Sequence, residues 1–95
     1  MPKGYWIARI DVEDPETYKS YISAATPAYQ KYGAKFLVRG GPSHAVEGPG
    51  RERNVVIEFE SFAIALACYH SPEYQAAAEF RRKASLGEIL VVEGA

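Results

Sequence analysis

The apolar positions of this chain switch between a period of two and a period of three to four, and the switches mark out its elements. Residues 5–12, Tyr-Trp-Ile-Ala-Arg-Ile-Asp-Val, are rich in aromatic and β-branched side chains and predict a first strand. Asp14-Pro15-Glu16 then opens a helix: Asp14 caps it, Pro15 suits the first helical position, and Glu16 complements the helix dipole. Tyr18, Tyr21, Ile22, Ala25, Tyr29 and Tyr32 follow at steps of three and four, one stripe of an amphipathic helix. Pro27 lies inside it and predicts a kink, having no N–H for the Ser23 carbonyl. Gly33 is the expected stop.

Residues 35–39, Lys-Phe-Leu-Val-Arg, predict the second strand. Glycines and prolines from Gly40 to Arg53 predict a loop, with a short extended arm about His44-Ala45-Val46. Residues 54–60, Asn-Val-Val-Ile-Glu-Phe-Glu, form the clearest strand of the chain. Ser61 caps a helix through Phe62, Ile64, Ala65, Leu66 and Tyr69. Ser71-Pro72-Glu73 repeats the cap-then-proline signal and starts a second helical segment running to about Ala84. Gly87 is expected to break the chain before a last strand at 88–93. The order β-α-β-β-α-β predicts one α+β domain over 1–95, ferredoxin-like, with a four-stranded antiparallel sheet.

Two strand–helix–strand units with right-handed crossovers put both helical layers on one face of the sheet. Alternation then assigns the faces. Trp6, Ala8, Ile10 and Val12, Phe36 and Val38, and Val55, Ile57 and Phe59 are wholly apolar sets, expected to face the helices. The other face mixes Tyr5, Ile7, Leu37 and Val56 with either Ile89 and Val91 or Leu90 and Val92. Arg9, Arg39 and Glu58 are embedded in it. Such a face is too apolar to leave bare and too charged for a simple core. Packing two copies sheet to sheet, as a homodimer, covers it.

Composition narrows the functional field. The chain has 95 residues, 47% apolar, and a net charge of −1 with acids and bases interleaved. That allows one modest core and no field to gather a polyanion. Nucleic-acid binding would need a basic stripe. Arg81-Arg82-Lys83 is short, and Arg81 is read as a surface residue on a different stripe from Tyr74 and Ala78. No apolar run approaches membrane-spanning length, and the start carries no apolar signal region. The single Cys68, unable to form an internal disulfide, points to the cytoplasm.

Several segments resemble one family. Asp14-Pro15-Glu16 with Tyr18 and Tyr21, Tyr32-Gly33, Arg39-Gly40-Gly41 and Glu47-Gly48 carry the likeness. Val56-Ile57-Glu58-Phe59 and Tyr69-His70-Ser71-Pro72-Glu73-Tyr74-Gln75 extend it over nearly the whole chain. The chain is thereby similar to the domain-of-unknown-function family numbered 1330, mainly bacterial. The resemblance implies a dimeric α+β barrel, an architecture shared with cofactor-free monooxygenases, small isomerases and haem-degrading proteins, and it implies no established reaction. Cys68 departs from the family pattern, which usually has tryptophan before the tyrosine.

Among candidate site residues, Arg39 and Glu58 come first. Arg39, with Arg9 on the same face, suits a carboxylate or enolate by bidentate hydrogen bonding. Glu58 is a candidate general base, the role open to a carboxylate set among apolar side chains. The structural alternative is that the two charges pair with each other or across a dimer axis. Tyr69, Ser71 and Tyr74 are candidate ligand contacts, with helix capping by Ser71 and sheet packing by the tyrosines as the alternative. His44 is a candidate acid or base on a loop lid, or simply solvated. Cys68-Tyr69-His70 lacks zinc-site spacing, so no metal is expected. Cys68 among Leu66, Ala67 and Tyr69 reads as a small buried hydrophobe, and Gly40-Gly41-Pro42 lacks the lysine and helix of a phosphate loop. Two functions remain. One is a small-molecule binder or enzyme acting on an organic or anionic substrate without a bound cofactor. The other is a non-catalytic dimerisation or regulatory module.

Overall fold

The elements form in the order their pattern predicts, the last strand starting three residues early at Ser85. The chain folds as β1 (Gly4–Val12), α1 (Pro15–Lys31), β2 (Lys35–Arg39), β3 (Arg53–Phe59), α2 (Phe62–His70), α3 (Pro72–Ala84) and β4 (Ser85–Glu93) in a computed structural model that describes residues 2–95. The caps are those expected. Asp14 accepts the Thr17 N–H at 3.3 Å and its hydroxyl at 2.7 Å. Ser61 accepts the Ile64 N–H at 3.1 Å, and Ser71 accepts that of Tyr74 at 3.1 Å. Helix α1 continues through Pro27 to Lys31, and Gly33 ends the turn with a φ of 69°.

The sheet is antiparallel throughout, in the order β2-β3-β1-β4 of a ferredoxin-like fold. All three helices cover one face. Trp6, Ile10, Ile57, Phe59, Cys68 and Tyr74 are the largest fully buried side chains, each contributing roughly 1.5–3 kcal/mol of hydrophobic stabilisation. The last strand resolves its two alternatives: Ile89 and Val91 pack on this core, while Leu90 and Val92 stay exposed on the open face with Ile7 and Leu37.

One expectation is overturned here. Gly87 does not break the chain. It lies within β4 opposite Ile10, where a Cβ would run into the Arg9 carbonyl and the Ile10 side chain. Its role is to let β1 and β4 approach closely. No strand forms about His44–Val46; residues 41–50 are exposed loop. That loop is tethered at its end by Arg51, which bonds Asp11 at 2.7 Å and Glu88 at 2.6 Å.

The face assignment holds for β1 and β3 and fails partway along β2. Phe36 lies opposite Ile57, but Val38, rather than Leu37, lies opposite Val56. This is a β-bulge on an edge strand, and a one-residue shift exchanges the two faces. Val38 therefore turns to the open face, where it is 44% exposed. Arg39, opposite Val55, turns to the helix side. Arg39 and Glu58 thus lie on opposite faces of the sheet and do not pair.

Candidate functional site

Beyond the bulge, Arg39 joins a pocket between the sheet and the helices. Trp6, Ala8 and Ile10 of β1 and Val55 and Ile57 of β3 form its floor, and Tyr18, Tyr21 and Tyr29 of α1 its wall. Three guanidinium groups border it: Arg39, Arg53 and Arg81. Each lies over an aromatic ring. Arg39 sits 4.0 Å from the Phe36 centroid, Arg53 5.6 Å from Tyr18 and Arg81 5.9 Å from Tyr21. Such contacts contribute about 0.5–1 kcal/mol each and leave the N–H groups to find other partners.

Those partners are missing. The Nε atoms of Arg53 and Arg81 are closed to water and make no hydrogen bond. No carboxylate lines the pocket, and none of the three arginines has an ion-pair partner among the described residues. Unmatched buried polar groups are costly and call for explanation. The enclosed cavity is about 30 Å³, room for one or two waters as it stands. A larger guest needs the rim arginines to swing aside.

A tyrosine chain runs behind the guanidinium rim. The Tyr21 hydroxyl lies 3.1 Å from that of Tyr29 and 2.8 Å from that of Tyr74. Burial drives the pKa of all three upward, so each is a neutral phenol at physiological pH. At Tyr74 the adjacent Arg81 opposes that rise. Burial works against the charge of Arg81, and its approach to the Tyr74 hydroxyl supports it.

The residues singled out from sequence scatter. Glu58 is half-buried on the open face and accepts the Tyr5 hydroxyl at 3.1 Å. Arg9, on the same face, donates to the Pro49 carbonyl at 3.1 Å. His44 is exposed and lines a separate, shallow hollow of about 230 Å³ with Arg9, Ser43 and Arg51. Ser71 is buried and occupied, donating to the Cys68 carbonyl at 2.7 Å while capping α3. Tyr69 packs against Trp6 and Tyr74, and Tyr74 is fully buried behind Tyr21. Of these residues only Arg39 lines the pocket.

Arg53 and Arg81 were the residues to find. Arg53 precedes Val55, Ile57 and Phe59 by even steps, which puts it on the helix side of β3. Arg81 follows Tyr74 by seven residues and Ala77 and Ala78 by four and three, all on one buried stripe. Its assignment to the surface is therefore corrected: a basic cluster draws the eye, but helical spacing carries its first member inward. Cys68 is the buried hydrophobe expected, its thiol pushed up to about 12 by burial.

The fold and this geometry define a ferredoxin-like α+β domain with a cationic, aromatic pocket beneath its helices. The chain belongs to the DUF1330 family, a domain of unknown function, whose family model matches residues 3–95. Among solved structures it is similar to RPA0582, a protein of unknown function from Rhodopseudomonas palustris. That match has a TM-score of 0.79 at 16% identity and covers 99% of this chain and 83% of the other. It is also similar to SnoaB, a cofactor-independent oxygenase from Streptomyces nogalater, with a TM-score of 0.66 at 11% identity, covering 100% and 95%. A dimeric ferredoxin-like protein of unknown function from Thermobifida fusca matches with a TM-score of 0.62 at 19% identity, covering 99% and 91%. No curated protein matches the chain in sequence. At these identities the structural likeness establishes the fold alone. No helix among the described residues is long and apolar enough to cross a membrane.

Proposed function

We propose that this protein binds a small organic anion with an apolar body in the pocket bordered by Arg39, Arg53 and Arg81. The observation that carries the reading is the pair of water-inaccessible, unpartnered Nε atoms of Arg53 and Arg81 in a pocket without a carboxylate. An anion supplies the missing acceptors, and the aromatic wall supplies the apolar surface that small-molecule sites combine with a few placed polar groups. Conversion of that molecule without a bound cofactor is the catalytic form of the proposal. The lining offers no carboxylate, imidazole or thiol as base, so a substrate must ionise readily or arrive ionised.

The open face supports a second element of the reading, a homodimer through the sheet. Ile7, Leu37, Val38, Leu90 and Val92 are all exposed on that face, an apolar set that a second copy would cover. The non-catalytic alternative assigns the whole function to that interface. Thermal shift with benzoate separates the two. Benzoate should stabilise the wild type and give little or no shift with Arg53→Met or Arg81→Met. No shift for the wild type sinks the binding reading. Leu90→Asp should halve the mass in sedimentation; an unchanged mass sinks the sheet-face dimer.

A further inference from the structure

Counting hydrogens in the tyrosine chain sharpens the ligand. Three hydroxyls carry three hydrogens, and their two mutual contacts, Tyr21 with Tyr29 and Tyr21 with Tyr74, use only two. One hydrogen is left over. Apart from the approach of Arg81 to Tyr74, these hydroxyls have no further hydrogen-bond partner among the described residues. The position of the spare hydrogen is not arbitrary. Arg81, which packs over the Tyr21 ring beside Tyr74, can only donate, so an arrangement with the Tyr74 hydrogen turned toward Tyr21 keeps its oxygen free to accept from the guanidinium. The surplus then falls on Tyr21 or Tyr29, the two members of the chain that line the cavity.

The pocket therefore presents mainly donors: the N–H groups of Arg39, Arg53 and Arg81, the spare hydrogen of the tyrosine chain and the Tyr18 hydroxyl, with no carboxylate among them. Tyr18 packs on this network from α1, and Tyr69 and Cys68 from α2. We propose that the pocket is an oxyanion hole for a resonance-stabilised acid, a phenol or enol, held as its phenolate or enolate by the spare tyrosine hydrogen and the unpartnered guanidinium N–H groups. This rests on the anion-binding reading above and adds the class of anion. Once the rim arginines have moved aside to admit the ligand, N–H and O–H donors gathered about its oxygen favour the charged form over the neutral one. Binding breaks the ligand O–H bond, the proton leaves to solvent, and the electron pair stays on the bound oxygen.

The test uses 4-nitrophenol, whose phenol and phenolate absorb at different wavelengths, titrated with pH alone and with excess protein. The bound form should show an apparent pKa lowered by about one unit or more, equivalent to about ten-fold preference for phenolate over phenol. Tyr21→Phe cuts the relay between Tyr74 and Tyr29 and should remove most of that preference, about ten-fold. Tyr29→Phe, which leaves Tyr21 and Tyr74 in contact, should remove less. Trp6 fluorescence and circular dichroism check each variant. Where Tyr21→Phe fails to fold, the wild-type shift and Tyr29→Phe decide the matter. If benzoate and nitrophenolate both fail to bind, the anion-binding reading itself falls. If they bind but the wild-type pKa is not lowered, the oxyanion hole is overturned and plain anion binding stands. The oxyanion hole is likewise overturned if the folded tyrosine variants keep the full shift, the arginines alone then accounting for it.

Discussion

Replacing Arg81 by methionine distinguishes a binding residue from a structural one through the size of its effect on stability. Methionine keeps a straight, flexible stem of similar helix propensity and removes only the guanidinium. Without ligand, that group gives up a ring contact with Tyr21 at 5.9 Å, about 0.5–1 kcal/mol. It also gives up its approach to the Tyr74 hydroxyl, about 1 kcal/mol on the scale of ordinary hydrogen bonds. Against this stands the removal of a partly desolvated charge with no anionic partner. A fully buried ion costs several kcal/mol, and partial exposure of Arg81 reduces that to about 1–2 kcal/mol. The two sides nearly cancel, so the apo variant should lie within about 1 kcal/mol of wild type, on either side of it. By contrast, breaking a buried structural ion pair costs about 3–5 kcal/mol.

Urea unfolding measures this directly, because the only tryptophan, Trp6, is buried in the core and reports the transition. Protein concentration must be held fixed, since any self-association would add to the apparent stability. Benzoate affinity in the same variant should fall about ten-fold, the worth of a charge-assisted hydrogen bond. A variant destabilised by about 3 kcal/mol or more, with benzoate affinity unchanged, would refute the reasoning and make Arg81 a structural residue.

Three further outcomes follow from the geometry. Ser71→Ala removes both the cap of α3 and the bond to the Cys68 carbonyl, and should cost about 1–2 kcal/mol in urea unfolding; a change under about 0.3 kcal/mol counts against it. Cys68, fully buried and pushed up to about 12, should resist an aromatic disulfide reagent at pH 8 in the native protein and react at once in urea; fast native reaction would contradict its burial. The Glu52 N–H and then Arg51 hold the Asp11 carboxyl below its ordinary value. A depressed folded pKa contributes stability that is present above about pH 4 and is lost as pH falls through the lowered value. Asp11→Asn should therefore flatten the acid limb of the stability curve, and an unchanged limb argues that the contact is idle.

Most of the fold was legible because its signals are local. Asp14, Ser61 and Ser71 cap helices with their own side chains, and a proline or an apolar stripe follows each at helical spacing. The strands β1 and β3 alternate over enough residues to fix their faces. Gly87 misled because a glycine that breaks a strand and one that admits a close neighbour look alike until the neighbour, Arg9, is in view. Arg81 was different: its seven-residue step from Tyr74 was available, and its charged neighbours obscured it.

The bulge in β2 could not be read locally, and it relocates the chemistry. Phe36, Leu37 and Val38 are all apolar, so either register gives an acceptable strand; only pairing with β3 decides between them. On the regular register Arg39 joins Arg9 and Glu58 and charges the open face. On the observed one Val38 takes its place, and the two charges that remain are already engaged, Arg9 by Pro49 and Glu58 by Tyr5. The open face then stays largely apolar, with Arg9 and Glu58 each satisfied within one copy. The unsatisfied groups, Arg53 and Arg81, stand with Arg39 on the other side of the sheet. One extra residue in an edge strand thus separates the surface suited to a second copy from the pocket suited to a ligand. It also means that substitutions on one side can be tested without touching the other.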